Sequence, residues 1–289
     1  MSRALRCLFA LSILASLAPG QAGDERSRDQ QEPAPTVKKL TDWPKFKKTK
    51  AGAVRSKVKQ FRKAKVELHE KASEQLIAMG AGVAPILIPL VNDRQDGLNE
   101  HLLAVLDQVV GPEHASLLAR ETRRPSLEWR RYLMRKLATF RDADMAPILA
   151  AALKDKDPDI AFYAALGLLG LGRHDGLDTV LLETKKRWSE YGPLIAQILT
   201  PARAAKTASP IYAKIVEARP TDQMAGLRLL RYLMSKDQSK QLRYFLESQE
   251  FTVKRAAINT ARVVHGQKPI EKLSSFQAIG MAKEWLSKL

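Results

Sequence analysis

Cysteine is nearly absent. The single one, Cys7, lies inside an apolar run at the N-terminus, so the rest of the chain has no disulfide, thiolate metal site or thiol nucleophile. Aromatic residues amount to 6% of the 289 positions and do not interleave with the basic ones, which argues against single-strand base stacking. The five histidines (His69, His101, His114, His174, His265) stand far apart, with no i, i+4 pair and no ligand-spaced carboxylate. Solvated helix ends are the place expected for them, and no metal or other cofactor is implied. The chain also lacks a G-x-S-x-G elbow, a Walker loop and a dinucleotide fingerprint. Strict apolar/polar alternation is missing as well, so strands are not expected. Stability must come from packing alone, which a chain of this length can supply.

Long hydrophobic runs are missing except at the start. Arg3 and Arg6 precede the apolar stretch Cys7–Leu17, and Gly20-Gln21-Ala22 satisfies the small-x-small rule for cleavage between Ala22 and Gly23. The stretch is shorter than the ~20 residues a membrane span requires. Residues 1–22 therefore read as a secretory signal peptide, and the expected location is outside the cytoplasm (periplasm, envelope or secreted), with no integral span after its removal.

Acidic residues are scarce: 48 Lys+Arg face 31 Asp+Glu, a net charge of +17. Without Arg3 and Arg6 the basic count is 46 and the net charge +15. From Lys38 to Lys71 thirteen basic residues meet only Asp42, Glu67 and Glu70, a net +10. Such a block points to an anionic surface, polymer or acidic partner. Residues 23–50 read as a disordered, increasingly basic linker, with Gly23–Val37 polar and aperiodic and a turn at Thr41–Pro44. Trp43, beside Pro44 and Phe46, is expected to cover the open end of the folded region.

From residue 51 to 289 the pattern is helical. Val54, Val58, Phe61, Ala64, Leu68, Ala72 and Leu76 recur at three- and four-residue steps, predicting one helix of ~40 Å from Ala53 to Met79 that Gly80 ends. Arg55, Lys57, Lys59, Arg62, Lys63 and Lys65 lie off this stripe and are the candidate residues for docking an anionic partner. Beyond it the chain repeats. Ala84-Pro85-Ile86-Leu87 returns as Ala146-Pro147-Ile148-Leu149, and Ser209-Pro210-Ile211-Tyr212 follows, with related segments halfway between at a spacing near 31 residues. Proline is expected in the first helical turn each time. Partner helices are predicted over Leu98–Val109, Leu127–Leu137, Ile160–Leu171, Met224–Leu233 and Val253–Val264, separated by Asn, Asp, Gly and Pro turns. A pair of this size cannot bury its own apolar face, so neighbours must stack.

The sharpest unit, Asp157-Pro158-Asp159-Ile160-x-x-x-Ala164-Ala165-x-Gly167-Leu168-x-x-Leu171-Gly172, resembles the HEAT repeat in its short form shared with bilin-lyase-like proteins. Val253-Lys254-Arg255-Ala256-Ala257-Ile258 is a second copy, whereas the first carries Ala161 where the pattern prefers arginine. The resemblance implies an all-α, right-handed, armadillo-type solenoid of about seven two-helix repeats. In it the aspartate caps the first helix and the Ala-Ala pair admits the next one closely.

The resemblance implies no activity by itself. The leading expectation is a non-enzymatic scaffold that binds a protein or peptide partner, still unidentified, along one face while the basic helix docks an acidic surface. The alternatives are a polyanion-binding module, whose ligand is an envelope polymer, phospholipid or nucleic acid, and a HEAT-type enzyme of bilin-lyase or alkyl-base-glycosylase kind. No catalytic residue is assigned. Asp155/Asp157/Asp159, Glu67/Glu70 and Glu247/Glu250 are the acid groupings an enzyme would draw on, but loops, solvent faces and capping are the common explanation of them.

Overall fold

The computed structural model describes residues 38–289. The signal segment, the Ala22–Gly23 site and the leader through Val37 lie outside the described residues. After an extended segment come α1 (Lys48–Val58), a 3-10 turn (Lys59–Arg62), α2 (Val66–Ala78), α3 (Ala84–Leu87), α4 (Asp96–Val109), α5 (Ala115–Ala119), α6 (Leu127–Phe140) and α7 (Ala146–Ala152). They are followed by α8 (Pro158–Gly170), α9 (Leu177–Leu199), α10 (Ala205–Ile215), α11 (Pro220–Leu233), α12 (Arg243–Leu246), α13 (Phe251–Val264) and α14 (Ser275–Lys288). Among the described residues there is no strand.

The sequence interval is the structural interval. Helices α4, α6 and α8 begin at residues 96, 127 and 158, and α11 and α13 at 220 and 251, all separated by 31 or twice 31. The start missing from the series, at 189, falls inside α9. There Arg187 leaves helical geometry (φ −130°, ψ 37°), so α9 is two helices joined without a loop. Helices α3, α5, α7 and α9 start at 84, 115, 146 and 177, again 31 apart. Packing is serial: α6 lies on α8, α8 on α9, α9 on α11 and α11 on α13. This all-helical arrangement is compatible with a helical-repeat solenoid.

Helix α8 shows how one unit is built. The Asp157 carboxylate accepts the Ile160 amide at 3.1 Å, Pro158 fills the first turn where no N–H is needed, and Ala164 and Ala165 are fully buried. Gly167 lets α6 approach, since a β-carbon there would stand 3.0 Å from the Ala138 Cα. The helix closes with a Schellman arrangement, Gly172 N–H to Leu169 O and Arg173 N–H to Leu168 O, both 2.9 Å, with Gly172 at φ +78°.

Neighbouring units are also tied by polar bonds that step along the chain. Arg131 of α6 grips Asp157 at 2.7 Å, the Tyr191 hydroxyl donates to Asp159 at 2.6 Å, and the Thr260 hydroxyl donates to Leu227 O at 2.7 Å. Two apolar clusters, one from Val54 to Leu168 and one from Ala138 to Trp285, meet around α6–α8, where Leu153 and Tyr163 pack against both.

Three expectations are corrected. The N-terminal helix is not continuous: α1 stops at Val58, and Lys63 (ψ 154°) and Lys65 (ψ 114°) are extended before α2 begins. A straight helix would have set Arg55, Lys59 and Lys63 at i, i+4 steps, and like charges at that spacing destabilise a helix. The break separates them and lets Phe61 turn inward to 6% exposure. Pro210 lies inside α10, not in its first turn, whereas Pro85 and Pro147 are where expected. Trp43 does not cover an end. Residues 38–47 run lengthwise across three successive units, with Phe46 on Gly82, Trp43 stacked on His114 at 5.2 Å, and Lys39 bonded to Asp142 and Asp144.

Among the described residues no single helix is long and apolar enough to cross a membrane. Helix α2 and the segment after Gly80 reach that length only as a pair bent by 108°.

Candidate functional site

The six candidate cations lie on α1, the 3-10 turn and the extended link to α2. Lys57 is half-buried, while Arg55, Lys59, Arg62, Lys63 and Lys65 are exposed. Among the described residues none of the six has a carboxylate within ion-pair distance. Arg62 makes only a long 3.4 Å bond to the Gln95 side-chain oxygen. The structure brings the six together on one short stretch of chain, though not on one helix face. Val54, Val58 and Phe61 anchor that stretch to the core.

Beneath it lies a feature that spacing alone did not suggest. His69 and His101, from adjacent units, meet with ring centroids 4.6 Å apart, and Phe61 stacks on His101 at 4.7 Å. His69 Nε2 lies 2.6 Å from Lys63 O, tying the extended link down. Burial, and then the neighbouring His69, hold His101 below its ordinary value, while Glu100 works the other way. His114 is buried at 3% exposure against Trp43. Solvated helix ends are therefore the wrong place for these histidines, which act as packing groups. No cluster of three or more His, Cys, Asp or Glu able to hold a metal occurs among the described residues.

The acids left open as catalytic pairs are engaged otherwise. Asp155 pairs with Arg130, Asp157 with Arg131, and Asp159 with Arg187 at 2.7 Å as well as with the Tyr191 hydroxyl. Glu67, Glu70, Glu247 and Glu250 are exposed.

A second cationic site was not anticipated. A pocket of about 320 Å³ opens between the second half of α9, α11, α13 and the α13–α14 connection. Trp188 forms part of its wall, with the Arg228 guanidinium 5.0 Å and that of Arg231 5.5 Å from the ring centroid. Arg255 joins them from α13, with Met224 and Ile270 among the apolar lining. Arg231 is only 8% exposed and its Nε has no hydrogen-bond partner. Burial lowers Arg231 from its ordinary value, partly offset by the Tyr232 hydroxyl. Arg228 is lowered by burial first and then by repulsion from Arg231 and Arg255.

No protein-family model matches the chain, and no curated protein does.

The arginine pocket left a faint trace in the sequence. Arg228 and Arg231 stand at i, i+3 on one predicted helix, and Arg255 sits in the second HEAT-like copy. What spacing cannot show is that Trp188 faces them, because the kink at Arg187 that presents it lies in the least regular part of the repeat.

Proposed function

We propose that this protein is a non-catalytic, HEAT-type solenoid scaffold working outside the cytoplasm, which docks an acidic protein surface through Arg55, Lys57, Lys59, Arg62, Lys63 and Lys65. One observation carries the reading. Six cations in the middle of the chain, Arg130, Arg131, Arg135, Lys136, Lys185 and Arg187, are matched to acids, although Lys154, Lys156 and Lys186 beside them are not. The six cations of the N-terminal segment have none among the described residues. Unpaired, solvated positive charge fixed on a folded support raises the local concentration of an anionic partner and speeds its approach. The serial helix pairs offer a long surface on which specificity is decided, and the engaged acids support a binding role over acid–base chemistry.

The test is retention of the purified chain on immobilised poly-L-glutamate, compared with a variant carrying glutamine at all six positions. The expected result is binding at low salt that weakens steeply as the Debye length falls below ~10 Å near 0.1 M, and loss of most of it in the variant. Equal retention of both proteins would overturn the assignment. Tighter retention on heparin or anionic vesicles than on polyglutamate would replace it with the polyanion-binding reading.

A further inference from the structure

We infer that the pocket walled by Trp188 binds a phosphomonoester dianion, held by Arg228, Arg231 and Arg255. The site is separate from the N-terminal cations and does not depend on the function proposed for them.

The register of the fold makes the case. Arg135 and Arg228 are 93 positions apart, three steps of 31, and so occupy equivalent places on α6 and α11. Arg131 and Arg255 are 124 apart, four such steps. In the earlier unit each has its acid: Arg135 bonds Asp107 at 2.9 Å and Arg131 bonds Asp157 at 2.7 Å. Among the described residues neither Arg228 nor Arg255, in the later units, has a carboxylate within ion-pair distance, and neither guanidinium donates a hydrogen bond. The same fold position thus carries a satisfied arginine in one unit and an unsatisfied one in another.

Burial sharpens the contrast. A guanidinium 8% exposed with a bare Nε is costly to keep, since an unmatched buried charge destabilises a fold strongly. Two further guanidinia beside it add repulsion. A protein that gathers this buried guanidinium and two half-buried ones around one pocket is preorganised for an anion, and planar N–H forks match phosphate oxygens.

Charge selects among anions. Three arginines, with Glu271 on the rim pairing with none of them, leave a local excess of two positive charges. A phosphomonoester carries roughly −1.5 to −2 at pH 7, whereas a carboxylate would leave one cation unmatched. At about 320 Å³ the pocket is at the small end of ligand sites (~300–1,000 Å³), and its Met224 and Ile270 walls suit a compact organic group attached to the phosphate.

The experiment is a fluorescence titration of the full chain with inorganic phosphate, phenyl phosphate and acetate at matched ionic strength, with Trp188→Phe identifying the reporting indole. Saturable quenching by phosphate is expected, with phenyl phosphate tighter and acetate at least ~tenfold weaker. Affinity for phenyl phosphate should fall between pH 7.5 and 5, as that ester passes its second pKa near ~6. Arg228→Gln with Arg255→Gln should cost about tenfold or more in affinity, Arg135→Gln should not, and Glu271→Gln should tighten binding. No saturable response below about 10 mM phosphate, a weaker affinity than any specific site of use, overturns the proposal. So does an equal response to acetate, or a response that survives in the double variant or is unmoved by Glu271→Gln.

Discussion

Phe46 lies so close to Gly82 that a β-carbon on the glycine would stand 2.5 Å from the phenyl Cε1. The contact fixes one end of the extended segment that crosses three units. The three places it touches, Gly82, Glu113–His114 and Asp144, are spaced by the same 31 residues as the helices, while the strap advances three or four residues per unit, from Phe46 through Trp43 to Lys39. An extended chain gains ~3.3 Å per residue, so three or four residues span one helix layer of 8–10 Å.

Gly82→Ala should therefore expel Phe46 without unfolding the helices. The side chain that must move is half-buried, and its loss forfeits part of the ~1.5–3 kcal/mol that burying a phenylalanine supplies. Faster cleavage by trypsin after Lys45 or Lys47, at an unchanged helical circular-dichroism signal, is the expected outcome. Unchanged cleavage would mean that the phenyl contact does not hold the strap.

Arg131 and Asp157 join α6 to the cap of α8. Burial works against ionising Asp157, and the Arg131 guanidinium and the Ile160 amide overcome it, so the carboxyl titrates below its ordinary 3.8. The lowered value fixes the sign: the contribution is full above about pH 4, and is lost as pH falls through the folded-state value. Asp157→Ala removes the cap and the shortest ion pair of Arg131, which keeps only its longer contacts to Glu128 and Asp159, with an expected loss of about 1–3 kcal/mol. Urea unfolding at pH 7 and again below pH 3 measures it, and the difference between the parent and the variant should shrink at the lower pH.

How much of this was legible beforehand follows from what periodicity can carry. The starts of α4, α6, α8, α11 and α13 are readable because Asp, Pro and small residues mark them and apolar residues recur inside them. The break at Lys63–Lys65 was not, because the apolar stripe of Phe61, Ala64 and Leu68 runs straight through it. The meeting of His69 with His101 was hidden for a different reason. They are 32 residues apart, and only the stacking of adjacent units makes that separation a contact. The arginine pocket needs three helices and a kink to exist at all.

Gly226 is a test of close helix approach. A β-carbon on it would lie 2.5 Å from Ile215 Cγ2 and 2.6 Å from its Cδ1, both on a fully buried side chain at the α10–α11 contact. Alanine gains up to ~1 kcal/mol in helix propensity, but overpacking a filled core costs typically ~1–3 kcal/mol. The clash is with a branched side chain that has nowhere to move, so the cost should win. A lower unfolding midpoint for Gly226→Ala is expected, and a smaller loss when the same change is made in an Ile215→Ala background, which lacks both clashing carbons, would assign the loss to this contact.

The His101 ring, stacked on Phe61 and edge-on to His69, makes the anchoring of the basic segment sensitive to acid. Burial and the facing His69 lower the His101 value below 6.5, against the opposing pull of Glu100. A base with a lowered folded-state value stabilises the fold fully above its unfolded value, here about 6.5, and that contribution is lost as pH falls from there through the folded-state value. Between pH 7.5 and 5 the amides around Phe61 and Lys63–Leu68 should exchange faster with solvent, while those of α11 and α13 stay protected. His101→Phe keeps a ring against Phe61 and removes the titrating group, so it should abolish the acid-induced exchange. If the variant responds to pH as the parent does, the acid sensitivity of the anchor does not come from His101.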